Sequence, residues 1–171
     1  EMCIRDRMNI SPLFVEGSRH FEAGKNFLAQ LELAQQGKAE DQYELGRRYF
    51  EGLGTISDHA EAAVWCRKAA EQGHVPAMRT LAACLEDGDG VAQDLVEMAK
   101  WYRRAAEQND SEAQYRMGAC YFYGNGVEKD LRQAEEWTRK AAEQGHPSAQ
   151  SNLGGYLISG EDKSRHAEAI V

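Results

Sequence analysis

From Ala39 to Gln144 apolar positions recur at helical spacing, and the whole pattern of apolar, polar and glycine positions returns every 36 residues. In the first block Tyr43, Leu45, Tyr49 and Phe50 predict a helix, A, that stops at Gly52-Leu53-Gly54. A second helix, B, carries Ala62, Trp65, Ala69 and Ala70 and ends at Gly73. Residues 39–74, 75–110 and 111–146 align without a gap, and 147–171 begin an incomplete fourth unit. Trp65, Trp101 and Trp137 share one column, as do Ala69-Ala70, Ala105-Ala106 and Ala141-Ala142. A fixed period of this length marks an array whose units bury their apolar faces only by stacking. The expected fold is all-α: a right-handed α/α solenoid of helix-turn-helix repeats.

Asp58, Asp94 and Asp130 open helix B, each followed three residues on by Glu61, Glu97 or Gln133. This spacing predicts a capping box, in which the Asp accepts an orphan N–H and the Glu or Gln reaches back. Gly73, Asn109 and Gly145 fill the position just past helix B, where a left-handed conformation is needed. Pro76 and Pro147 fall in the first turn of the next helix A, where a missing N–H does no harm. Gly46, Ala82, Gly118 and Gly154 share a column inside helix A. Glycine there costs about 1 kcal/mol in helix propensity, so a second helix must pass close by. The paired alanines of helix B are the expected opposite surface, with the tryptophans filling the remaining volume. Truncating one of these indoles should cost roughly 3–5 kcal/mol.

The flanks are irregular. Residues 1–7 resemble the in-frame translation of a transposon-end sequencing adapter and are set aside from the fold. Their charges cancel, Cys3 leaves the count, and the natural start is expected to be missing from a bacterial reading frame. Residues 8–38 form an N-terminal segment: 8–20 suit a loop or short helix. Phe27, Leu28, Leu31 and Leu33 ahead of Gly37 suggest a degenerate capping helix B. Residues 166–171 repeat the pattern of 59–64 and stop just before the expected tryptophan, so the unfinished unit offers an apolar flank to another chain. The oligomeric state is left open.

Net charge of -8 and pI ≈ 5.2 argue against nucleic acid as the main partner. No apolar run has the length of a membrane span, so a soluble protein is expected, in the bacterial cytoplasm, the periplasm or outside the cell. Gly-x-Gly at 52–54, 88–90 and 124–126 follows no strand and precedes no Lys-Ser/Thr, so it reads as an inter-helix turn and not a phosphate loop. Asp87-Gly88-Asp89-Gly90 lacks the ligand run and closing glutamate of a calcium loop. His59, His74 and His146 have no metal-ligand spacing and read as solvated turn residues. Cys84 and Cys120 share a column and should lie roughly 10 Å apart, too far for a disulfide. Cys66 and Cys84 lie about level across a hairpin, either as a disulfide or as two small buried thiols. Glu135–Arg139 and Glu136–Lys140 fit i,i+4 pairs on a solvated face. No catalytic residue, cofactor or metal is expected.

Leu-Gly-x-x-Tyr at 45–49, Gly-x-Gly-Val at 88–91 and 124–127, and Trp-x-x-x-Ala-Ala-Glu-Gln-Gly at 65–73 resemble the Sel-one-like repeat, a relative of the tetratricopeptide repeat. Thr55 replaces the loop valine in the first unit and Ala82 the helix glycine in the second. The resemblance implies a protein-interaction scaffold or adaptor whose concave face is lined by helix A. Tyr43, Arg47, Arg79 and Tyr115 vary at exposed helix-A columns, and their residue types anchor interfaces. They are therefore the candidate partner-binding residues, against the plainer reading that they support the stack. Two alternatives stand beside the scaffold. One is a β-lactamase-type hydrolase of the cysteine-rich Sel-like kind, although the recurrent cysteine pair of those proteins is absent. The other is a fragment of a larger regulator or secreted effector.

Overall fold

Gly52, Gly88 and Gly124 all adopt positive φ (66°, 74° and 80°) and end helix A at the same point in three successive units. The computed structural model describes residues 19–153, and every regular element among them is an α-helix. α1 spans Arg19–Gln35. α2 (Ala39–Glu51), α4 (Val75–Asp87) and α6 (Ser111–Tyr123) are the A helices. α3 (His59–Glu71), α5 (Leu95–Glu107) and α7 (Leu131–Glu143) are the B helices. Residues 147–153 are the described part of α8. Each helix packs on its neighbours in sequence, which makes an α/α solenoid. The adapter-like residues 1–7, the segment 8–18, Gly154, Gly155 and 166–171 lie outside the described residues.

Half of the capping box forms. Asp58 and Asp94 accept the N–H of Glu61 and Glu97 at 3.0 and 2.9 Å, and Asp130 accepts those of Arg132 and Gln133. The return bond does not form, because the backbone N–H of each Asp is already committed. It donates to the helix-A carbonyl of Tyr49, Leu85 or Tyr121, in each case at 3.0 Å. That bond ties the loop to the preceding helix and frees the glutamate for other work. At the other end Asn109, with φ 63°, is the non-glycine residue at positive φ among the described residues, between Gly73 and Gly145 in its column.

The helix-A glycines face a different part of helix B from the paired alanines. A Cβ on Gly46 would stand 2.8 Å from Cys66 Sγ and 3.1 Å from the Ala62 carbonyl oxygen. One on Gly118 would overlap Thr138 Oγ1 and stand 3.2 Å from the Ala134 oxygen. The close approach is thus at the turn of helix B that runs from Ala62 to Cys66, or Ala134 to Thr138, and ends three residues before the alanine pair. The alanines Ala69, Ala70, Ala105, Ala106, Ala141 and Ala142 are buried nonetheless. Their faces meet the following unit: Ala106 and Ala142 carbonyls accept Gln114 and Gln150 side chains, each at 3.2 Å.

The indoles fill less of the core than the pattern suggests. Trp101 is buried, at 6% exposure, but Trp65 and Trp137 are half-buried. Their open faces are covered by cations three residues on: Lys68 lies 3.7 Å from the Trp65 centroid, Arg104 4.8 Å from that of Trp101 and Lys140 4.2 Å from that of Trp137. Lys140 therefore covers an indole instead of pairing with Glu136, whose carboxylate accepts from Gln133 at 3.3 Å. The Glu135–Arg139 pair does form, at 2.6 Å.

Each loop keys its unit to the one before. A Cβ on Gly90 would overlap the carbonyl of His59, and one on Gly126 that of Leu95. Gly54 stands in the same relation to Ala23. The Ala34 carbonyl accepts Gln42 Nε2 at 3.5 Å, as Ala106 accepts Gln114. α1 is thus set against the first unit as each helix B is set against the next.

Candidate partner-binding face

The side chains that join one helix A to the next come in sets of three. At the first junction His74 precedes α4 and its Nδ1 accepts the Ala77 N–H at 3.2 Å. Its Nε2 lies 2.9 Å from Glu40 Oε2, and its ring packs 4.7 Å from that of Tyr43. At the third junction His146 Nδ1 accepts the Ala149 N–H at 3.2 Å. Its Nε2 meets Glu112 Oε2 at 2.9 Å, and its ring stacks on Tyr115 at 4.7 Å. The second junction replaces all three partners. Asp110 Oδ1 accepts the Ala113 N–H at 2.8 Å, its Oδ2 faces Arg79 at 3.6 Å, and Pro76 stands where the glutamates stand.

These histidines are not solvated turn residues. Their side chains are 13% and 11% exposed, because the ring must cap a helix and cover a tyrosine at once. A histidine immediately after a helix-ending glycine is the sequence signal; its partners lie 34 residues back and show only when the repeat columns are compared. His59 is more open and pairs with Asp89 at 2.6 Å across the loop.

Of the four candidate residues, Tyr43, Arg79 and Tyr115 occupy equivalent points on α2, α4 and α6, and each is partly exposed. Arg47 is apart from them, one turn along α2, and bonds Glu44 and Glu51 of its own helix at 3.2 and 3.0 Å. Between the aromatic positions the helix-A surface is low: Ala83 and Ala119 are half-buried in the column that Arg47 begins. Tyr123, at the end of α6, is 69% exposed.

Electrostatically this face is largely self-paired. Burial pushes the Glu112 carboxyl up, but hydrogen bonds from His146 and Arg116 outweigh that and hold it below the ordinary carboxylate range. Burial pushes the Tyr102 phenol far up, and its hydroxyl donates to Glu86 at 3.3 Å. On the other side Arg67 forks onto Glu97, whose Oε1 also accepts the Trp101 indole N–H at 3.1 Å. Cys66, Cys84 and Cys120 are free, buried thiols, so the disulfide alternative is not realised here. Burial raises them to about 12, 11 and 11, which leaves them protonated and poor nucleophiles. Among the described residues no three His, Cys, Asp or Glu side chains could hold a metal, and no helix is long and apolar enough to cross a membrane.

Residues 39–74, 75–110 and 111–146 each match the Sel1 repeat. The chain belongs to the Sel1 repeat family. Sel1 repeat proteins are generally protein-interaction scaffolds and typically non-catalytic. None of the curated proteins shows a significant match to the chain. Among solved structures it is similar to a protective antigen of uropathogenic Escherichia coli with the same fold, at 40% identity and TM-score 0.75. That alignment covers 78% of this chain and 29% of the antigen. It is similar to a Sel1 repeat protein of Oxalobacter formigenes at 36% identity and TM-score 0.74, over 82% of this chain and 59% of that one. The chain thus spans less than two thirds of either relative. Cysteine-rich protein B of Helicobacter pylori shares the fold at 23% identity and TM-score 0.62, over 80% of this chain and 98% of that one.

Proposed function

We propose that this Sel1 repeat protein binds a partner protein or peptide along the surface made by α2, α4 and α6, with Tyr43, Arg79 and Tyr115 as contacts and Arg47 at its margin. The observation that carries this reading is the position of Arg79. It lies in the column between Tyr43 and Tyr115, beside the low Ala83, and faces Asp110 at 3.6 Å, beyond hydrogen-bond distance. The other oxygen of Asp110, Oδ1, is taken by the Ala113 N–H. The guanidinium therefore keeps donors for a carboxylate brought by a partner, while the two phenols offer flat amphipathic contact.

Arg79→Glu tests it. Pull-down with the wild-type protein should recover a partner that the variant loses, and Arg79→Lys should recover it weakly, since lysine lacks the planar fork. Equal recovery by wild type and Arg79→Glu would remove Arg79 from the interface.

A second reading has support in the alignment lengths: the chain corresponds to part of the repeat array of a longer regulator or secreted effector. Recovery of the full reading frame tests it. The recurrent cysteine pair of the hydrolase-like relatives is absent from the sequence, which weakens that alternative, and the three described cysteines are free thiols. Turnover of a chromogenic β-lactam above a heat-killed control would revive it.

A further inference from the structure

The three junctions are closed by two different chemistries. A carboxylate caps α6, whereas a neutral imidazole caps α4 and α8. To accept the Ala77 or Ala149 N–H, Nδ1 must carry a lone pair, so the proton of the ring sits on Nε2 and is given to Glu40 or Glu112. We infer that the first and third repeat junctions open on acidification through His74 and His146, while the second, capped by Asp110, stays closed. This goes beyond partner binding and does not depend on it.

A proton added at Nδ1 turns the acceptor into a donor aimed at another donor, and the cap is lost. It also places a positive charge at a helix N-terminus, where the backbone dipole disfavours it, on a ring that is about seven-eighths buried. One effect opposes these: the bond from Nε2–H to the glutamate becomes an ion pair. Glu40, however, is 82% exposed, where such a pair contributes little. Glu112 already bonds Arg116 at 2.9 Å, so part of its charge is answered.

Glu40 and Tyr43 of α2 meet His74; Glu112 and Tyr115 of α6 meet His146. Arg79 is turned to Asp110, and Glu71 and Glu143, the last residues of α3 and α7, are exposed. The closed junction therefore holds the neutral ring, whose Nδ1 is the acceptor for the cap, and a proton added there works against closure. His59 caps no helix in this way; its Nδ1 faces Asp89 Oδ1 at 2.6 Å.

Amide exchange on the full chain tests this with a built-in reference. Between pH 7.5 and 5.5, protection at Ala77 and Ala149 should fall about tenfold relative to Ala113, the magnitude of losing one N-cap. Parallel change at all three amides overturns the inference. Independently, the double variant His74→Asn, His146→Asn keeps a side-chain acceptor that does not titrate. Its melting temperature should fall less than that of the wild type over the same pH interval. Equal falls overturn the inference, and the exchange measurement stands even if the variant does not fold.

Discussion

Gly90 lies against the carbonyl group of His59, at the point where the loop of the second unit crosses the start of helix B in the first. The contact is backbone to backbone, and φ at Gly90 is +70°. Neither side can move to admit a side chain, and an L-residue is strained there even in open space. Gly90→Ala should therefore destabilise the protein by more than about 3 kcal/mol, among the large effects of single substitutions. Gly73 has a similar φ of +93° but nothing within 4 Å of a Cβ. Gly73→Ala should cost only the conformational strain, about 1–2 kcal/mol. Urea unfolding of the two variants measures the difference.

Gly118 and Thr138 should be coupled. Thr138 Oγ1 donates to the Ala134 carbonyl at 2.7 Å and occupies the space a Cβ on Gly118 would need. Gly118→Ala should cost about 1–3 kcal/mol through overpacking. Adding Thr138→Ala should restore part of that loss, because the hydroxyl is then gone. A double-mutant cycle in denaturant gives the coupling energy, and simple additivity would show that the two do not compete for volume.

The tryptophan column should be uneven. Trp101→Ala removes a buried ring and leaves Glu97 without an indole donor, so a loss of about 3–5 kcal/mol is expected. Trp65→Ala and Trp137→Ala remove half-buried rings whose outer faces already lie under lysine. Each should cost clearly less, read as a smaller drop in melting temperature.

Glu97 gives an acid dependence of known sign. The Arg67 hydrogen bond, with the Trp101 indole and the nearby charges, outweighs burial and holds its carboxyl below the ordinary range. A carboxylate depressed in the folded state contributes stability that is complete above its unfolded value, about 4.3, and is lost as pH falls through its folded value. Both partners are about one-third exposed, so the contribution is modest, under about 1 kcal/mol. Glu97→Gln should be less stable than wild type at pH 6, and the gap should close by pH 3.

The buried thiols should be silent in the native state. At pH 8 iodoacetamide should leave Cys66, Cys84 and Cys120 unmodified in folded protein and alkylate all three in urea, as read by peptide mass. Native modification of Cys66 would contradict its burial.

The periodic part of the fold could be read from the sequence because the period is itself a packing statement. A glycine that returns every 36 residues reports a close approach, whichever chain segment makes it. What the period does not report is the partner of each column. Gly46 and Gly118 meet the Cys66 and Thr138 positions, not the alanine pairs, since helix B crosses helix A near its own first turns. The Asp caps were legible as local hydrogen bonds. The missing return bond was not, because the competing acceptor is a carbonyl on another helix.

The candidate face shows the same limit. Tyr43, Arg79 and Tyr115 could be singled out as variable, but their link to His74, Asp110 and His146 spans 31 residues. Three columns change together there: Glu, Tyr and His at two junctions, and Pro, Arg and Asp at the one between. A single column carries no trace of such a link, and a bond across units shows only as a joint substitution.

Near-identical units carry the risk of assembling out of order, within one chain or between two. If the first helix A were to dock one unit too far along, Glu40 would confront Asp110, and a carboxylate would oppose a carboxylate. A displacement by two units would bring glutamate, tyrosine and histidine back into agreement. The alternating junction chemistry therefore discriminates between adjacent neighbours but not between alternate ones. Out-of-register assemblies, if they form, should be displaced by two repeats and not by one.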